Sequence, residues 1–186
     1  MLKKNLILSL VLLLSASLAF SQDKFFTKTG KIYFFSKASL EDIEAKNNTV
    51  TAVLDSKSGA IQFAALMKSF EFEKELMQQH FNENYVESDK FPKGEFRGVI
   101  TNNNEINYSK DGSYTAKVKG KMTIHGVTKD IETTGTIKVD GGKIDANSVF
   151  NILLSDYKIK IPAVVKDKVS NSIKVTVDCK LDPLKG

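Results

Sequence analysis

Two histidines, His80 and His125, and one cysteine, Cys179, are the side chains of this 186-residue sequence best suited to bind a metal or to act as nucleophile or base. They do not add up to a site. His80 and His125 lie on distant segments with no identifiable third ligand, whereas a zinc site takes three or four. Cys179 lies in the run Ile173-x-Val175-x-Val177-x-Cys179-x-Leu181, and that alternation puts the thiol on the apolar side of a strand, where it reads as a small buried hydrophobe. A lone cysteine also excludes an intrachain disulfide. No HExxH, P-loop or G-x-S-x-G string occurs. Glu87 and Asp89, near Phe91, read as a solvated loop rather than paired catalytic carboxylates. His80 stands at the edge of a helical apolar stripe and reads as half-buried; contact with a ligand head group is the alternative. His125 falls at a turn and is expected to serve the turn or a rim. The sequence is therefore expected to have no catalytic residue, no metal and no cofactor, and not to be an enzyme.

The elements that would position these side chains are strands. From Tyr114 to Ile137, Val118, Met122 and Ile124 occupy alternate positions with Lys117, Lys119, Lys121 and Thr123 between them. One face is apolar and the other wet. His125-Gly126 turns the chain into a second alternating run carrying Ile131 and Ile137. Similar runs are predicted at Gly30–Phe35, Asn48–Leu54, Ile61–Ala65 and Glu95–Thr101, continuing through Asn102-Asn103-Asn104 to Ile106–Tyr108, and again at Ile144–Leu154 and Ser172–Leu181. Asp55–Gly59, Asp111-Gly112 and Asp140-Gly141-Gly142 read as turns, with Asp111-Gly112 a hairpin signal. The total is about eight or nine strands, an all-β pattern that closes or folds over to remove its edges.

One segment breaks the series. Residues Glu71–Asn84 carry Phe72, Leu76, Met77, His80 and Phe81 at helical spacing, with Glu71, Glu73 and Glu75 near the start, where acidic residues suit the helix dipole. This predicts one amphipathic helix lying on the barrel or across its opening, with Met77 and Phe81 covering the interior. The chain has twelve phenylalanines and no tryptophan, and eight of them, Phe63, Phe96 and Phe150 included, are available for the inside. Small inward residues such as Ala52, Ala65 and Gly120 favour a cavity.

The N-terminus reads as a signal peptide. Lys3 and Lys4 precede an apolar run from Leu6 to Leu14, too short for the roughly 20 residues of a span. Ala19-Phe20-Ser21 fits the small-x-small cleavage rule, which makes Gln22 the first residue of the mature chain. Removing residues 1–21 leaves 165, one domain over 22–186, and lowers the formal charge from +5 to +3 because Lys3 and Lys4 leave. Lysines spread along strands give no nucleic-acid footprint. The expected location is periplasmic or secreted.

Two stretches carry a resemblance. Met77–Gly98 (MQQHFNENYVESDKFPKGEFRG) resembles a helix leading through an F-P-x-x-x-F step, here Phe91, Pro92 and Phe96, into a strand; Gly120–Lys129 (GKMTIHGVTK) resembles a G-x-L-T-x-x-G-V-T-K hairpin. Ile152–Lys160 (ILLSDYKIK) is weakly similar to a late D-aromatic-x-I step. In this order and spacing they resemble the YceI family of secreted bacterial lipid-binding proteins. The N-terminal third departs, since IYFFSKASLEDIEAKN lacks the His and Gly of the family's first hairpin. The resemblance implies an extended, lipocalin-like antiparallel β-barrel of about eight strands that binds, transports or sequesters a long apolar ligand, such as a polyisoprenoid, with transient membrane contact possible in that role. Phe63, Met77, Phe81, Val118, Met122, Ile124 and Phe150 are then the expected apolar lining. The alternative is a structural or protein-interaction barrel with a filled core and no lipid, using the Lys-rich loop Tyr157–Lys168 as its contact surface.

Overall fold

Apolar and polar residues alternate along most of residues 23–184, the part of the chain that the computed structural model describes, and the backbone follows that alternation as strand. The elements are β1 (Lys24–Lys37), β2 (Asp42–Asp55), β3 (Ala60–Leu66), β4 (Glu71–Phe72), α1 (Glu75–His80), β5 (Lys93–Ile100), β6 (Gly112–Ile124), β7 (Val127–Asp140), β8 (Lys143–Leu153) and β9 (Ser172–Pro183). The expected signal segment and its cleavage point lie outside the described residues.

Eight strands close into an antiparallel barrel. The order runs β1-β2-β3-β5-β6-β7-β8-β9, and β9 returns to pair with β1. Closure satisfies the backbone groups that an open sheet would leave at its edges. The two-residue β4 adds to the start of β2, with Phe72 opposite Ala45.

The N-terminal strands are longer than their periodicity predicts. β1 begins at Lys24, bending through register shifts on either side of Gly30. That bend needs glycine: a methyl group at residue 30 would lie 2.5 Å from the Cys179 sulfur. β2 begins at Asp42, its inward series Ile43, Ala45 and Asn47 interrupted by a polar residue. Asn47 is fully buried yet satisfied: its amide donates to the Leu66 carbonyl, and its oxygen accepts from the Thr49 N–H and hydroxyl.

Three expectations are corrected. The helix does not run from residue 71 to 84. Phe70 is buried, Glu71 exposed and Phe72 half-buried, a period of two that pairs Glu71–Phe72 with β2; the α-helix covers only Glu75–His80 and widens into a π-helical turn, Phe81–Tyr85. Asp111-Gly112 is not a hairpin. Residues 101–111 form a longer loop with a 3₁₀ turn at Asn103–Glu105 and no strand at Ile106–Tyr108, and Gly112 lacks the positive φ of such a turn. Asp111 instead accepts a hydrogen bond from the Gly141 N–H, steadying the neighbouring β7–β8 turn. That turn (Gly141 φ 57°, Gly142 φ 77°) and the His125–Gly126 turn (φ 51° and 72°) each carry two positive-φ residues, the geometry that matches strand twist. Finally, Gly120 does not leave empty space, since the Phe96 ring covers it.

The interior differs from end to end. At the end formed by the start of β1 and the finish of β9, Phe25, Leu54, Ile61, Val139, Ile144 and Leu181 pack into a buried core. At the other end the barrel is hollow. The two longest connections, residues 67–92 and 154–171, both cross that hollow end.

Candidate functional site

The hollow end holds a cavity of about 500 Å³, within the range of small-molecule sites. Its walls are the inward residues of the strands, among them Ile32, Phe34, Phe63, Phe96, Met122 and Val175. Its roof comes from the two connections. Met77, Phe81 and Tyr85 reach in from the helical segment, and Ile159, Val165 and Val169 from the loop between β8 and β9. A cluster of rings joins roof to wall: Phe34 lies 5.4 Å from Phe70, 5.6 Å from Phe72 and 5.5 Å from Phe81. Burial pushes the Tyr85 hydroxyl above its ordinary pKa, so this cavity residue stays a neutral phenol.

All seven residues expected as apolar lining bound the interior space. Phe63, Met77, Phe81, Met122 and Ile124 border the main cavity. Val118 and Phe150 border a smaller space beneath it, which Phe63 and Met122 also reach. Sequence reasoning missed the loop residues Ile159, Val165 and Val169, because they sit in a lysine-rich stretch that has no periodicity. Under the filled-core alternative that stretch was a contact surface; Ile159, Val165 and Val169 border the cavity, whereas Val164 between them is exposed.

The lining is mainly apolar, with the buried Ser36, Tyr85 and the charged side chains of Glu41, Lys74, Glu95 and Lys168 among its polar members. Lys74 donates to the Glu41 carboxylate at 2.8 Å, and Lys168 adds a second positive charge nearby. The hydrogen bond from Lys74, with these two charges, holds the Glu41 carboxyl below the ordinary carboxylate range. His80 is exposed and borders the cavity there. Among the described residues no three His, Cys, Asp or Glu side chains gather where a metal could sit.

His125 sits outside the cavity and ties its roof to its wall. Its Nδ1 lies 3.1 Å from the Tyr157 carbonyl, which only accepts, so that nitrogen carries a proton. Its Nε2 lies 2.6 Å from the Glu87 carboxylate, and that hydrogen bond draws the Glu87 carboxyl below its ordinary range. The Phe91 ring packs edge-on against the imidazole at 4.8 Å. The solvated-loop reading of the acidic pair holds, since Glu87 and Asp89 are both exposed; what it missed is that Glu87 contacts His125 and that Asp89 forms an ion pair with Lys68. Glu87, His125 and Lys158, which follows Tyr157, are the three non-glycine residues with positive φ among the described residues. All of this unfavourable backbone is gathered at one junction, whose contacts hold it in place.

What this arrangement can do chemically is limited and specific. It offers a mainly apolar enclosure, which takes apolar surface out of water, with a few charged side chains along its border.

Comparisons with known proteins agree with that geometry. A family profile described as YceI-like domain matches residues 19–181. No curated protein matches by sequence. Among solved structures, a polyisoprenoid-binding domain from Saccharophagus degradans, implicated in plant cell wall breakdown, superposes with a TM-score of 0.77 at 12% identity over 87% of this chain and 99% of that one. BcnA from Burkholderia cenocepacia gives 0.66 at 16% identity, covering 82% and 95%. A YceI protein from Campylobacter jejuni gives 0.56 at 20% identity, covering 75% and 84%. At these identities the likeness is one of fold.

Proposed function

We propose that this chain, which belongs to the YceI-like domain family, holds the tail of a long apolar lipid inside its barrel and does not change it chemically. The observation that carries this reading is the apolar cavity of about 500 Å³ at the roofed end of a barrel whose other end is packed solid. A tail placed there leaves water, and each buried CH₂ contributes roughly 0.8 kcal/mol. The name of the Saccharophagus degradans neighbour, a polyisoprenoid-binding domain, supports an isoprenoid as the class of tail. Lys74, Lys168 and Glu41 at the mouth leave the head group among charges and water. The filled-core alternative describes only the lower half of this barrel.

Native mass spectrometry of protein purified from its own host tests the reading. An apolar adduct removed by organic extraction, and replaced on adding a prenyl alcohol, is the expected result. A clean apo mass that no prenyl alcohol shifts would leave the barrel as an interaction scaffold. The proposal includes export: a carrier of insoluble tails is of use where membranes face an aqueous compartment, and residues 1–21 have the pattern of a signal peptide. N-terminal sequencing of the exported protein should then begin at Gln22; Met1 retained would refute export by cleavage.

A further inference from the structure

The hollow interior is divided. Beneath the main cavity lies a second apolar space of about 100 Å³, and both are bounded by the same five side chains, Ile32, Phe63, Phe96, Met122 and Val175. Three of these stand side by side on adjacent strands at one level. Phe63 of β3 is the register partner of Phe96 of β5, and Phe96 is the partner of Met122 of β6. The Phe63 and Phe96 rings are 6.3 Å apart, tilted by 44°.

Phe96 is seated by the absence of two side chains. Gly98 and Gly120 face each other across β5 and β6, and a methyl group on either would come within 2.5 or 2.7 Å of the ring. The ring therefore lies against bare backbone and has no room to swing farther into the wall. Met122 is different, an unbranched thioether that re-packs easily. The level thus combines a fixed ring with a movable neighbour.

We propose that Phe63, Phe96 and Met122 form a floor that sets the length of apolar tail this protein accepts. The proposal rests on the lipid-holding reading above. The main cavity takes the tail, and the space below is reached only when the floor is displaced. That lower space is one-fifth the volume of the upper, so opening the floor admits a terminal segment of the same tail rather than a second ligand. Val118 and Phe150 lie beneath the floor and meet only tails that pass it.

Affinity should rise by up to about fourfold per added methylene while the tail is still finding dry space. It should stop rising once the end meets the floor. The experiment measures dissociation constants for prenyl alcohols of increasing length, by competition with a fluorescent prenyl probe. In the wild type the plot of affinity against length should break at one length. Phe63→Leu and Met122→Ala should each move that break to longer chains. Thr133→Leu, which narrows only the lower space, should leave the wild-type break in place and cancel the extension gained by Met122→Ala. Circular dichroism checks that each variant is folded, and either floor variant suffices if the other is not. An unmoved break in a folded floor variant overturns the inference, as does a break that Thr133→Leu alone shortens. Wild-type protein that binds no prenyl alcohol of any length retires the lipid-holding reading and this inference with it; wild type that binds with no length break retires only the floor.

Discussion

At the scale of single residues, the informative side chains are those that sequence reasoning ranked as bland. Glu87 belongs to no motif, yet it accepts a hydrogen bond from His125 and so links the segment after α1 to the β6–β7 turn. That bond, with the nearby Lys90 and His125 charges, holds the Glu87 carboxyl below its ordinary pKa; partial desolvation opposes it. A carboxyl lowered in the folded state contributes stability above the ordinary Glu pKa of about 4.3, and loses it as pH falls through the lowered value. Glu87→Gln should therefore lower the melting temperature at neutral pH by a small amount, and the gap to wild type should close on acidification below the carboxylate range. Thermal melts across pH check this, and a gap that persists at the acid end would rule out an ionic origin. Cys179 makes a second case. Burial pushes its thiol up to about 12, and Gly30 lies against its sulfur. The native protein should not react with a thiol reagent at neutral pH until denaturant exposes the residue.

At the scale of elements, the β6–β7 hairpin carries the clearest test of register. Lys121 points outward and pairs with Asp130 directly opposite on β7, while Met122 borders the cavity. Lys121→Gln should change stability by no more than about 1 kcal/mol, as exposed ion pairs allow. Met122→Lys places a charge against the apolar wall and should cost far more in melting temperature, besides abolishing uptake of a fluorescent prenyl probe. Equal tolerance at the two positions would refute this register, and reversed tolerance would mean that the strand faces the other way. This hairpin was readable because a two-residue turn with a strict period of two leaves one register. The helical segment was read less well. In Glu71–Phe72 a helical and a strand-like spacing coexist over a few residues, and the choice fell to the free edge of β2 beside them.

At the scale of the whole molecule, the barrel is two objects joined end to end, a packed base and a hollow top. The base stabilises the fold without ligand; the top leaves apolar surface that a tail would cover. Ligand bound only to the folded state adds stability by mass action, about 2.7 kcal/mol at a hundredfold excess over Kd. Protein stripped by organic extraction should accordingly melt lower than the same protein reloaded with a prenyl alcohol. Identical melting temperatures with and without saturating lipid would contradict binding in the cavity.

The alternation of β6, the turns at His125-Gly126 and Gly141-Gly142, and the inward phenylalanines determined by themselves that the chain is an antiparallel all-β protein with an apolar inside. Those features are local: the two-residue period and the positive-φ turns act over a few residues and need no distant partner. Five of the expected lining residues, Phe63, Val118, Met122, Ile124 and Phe150, were legible for the same reason, since on a strand inward direction follows from period alone. Three things were decided only by tertiary structure. Closure depends on β1 meeting β9 from the far end of the chain, with a bend at Gly30 whose missing side chain leaves room for the Cys179 sulfur across from it. The roof depends on Ile159, Val165 and Val169 folding back from a loop with no pattern to announce them. The division between filled base and hollow top depends on how much volume the inward side chains occupy together at each level. Periodicity fixes which way a side chain points, but whether the space it points into is full is a sum over eight strands.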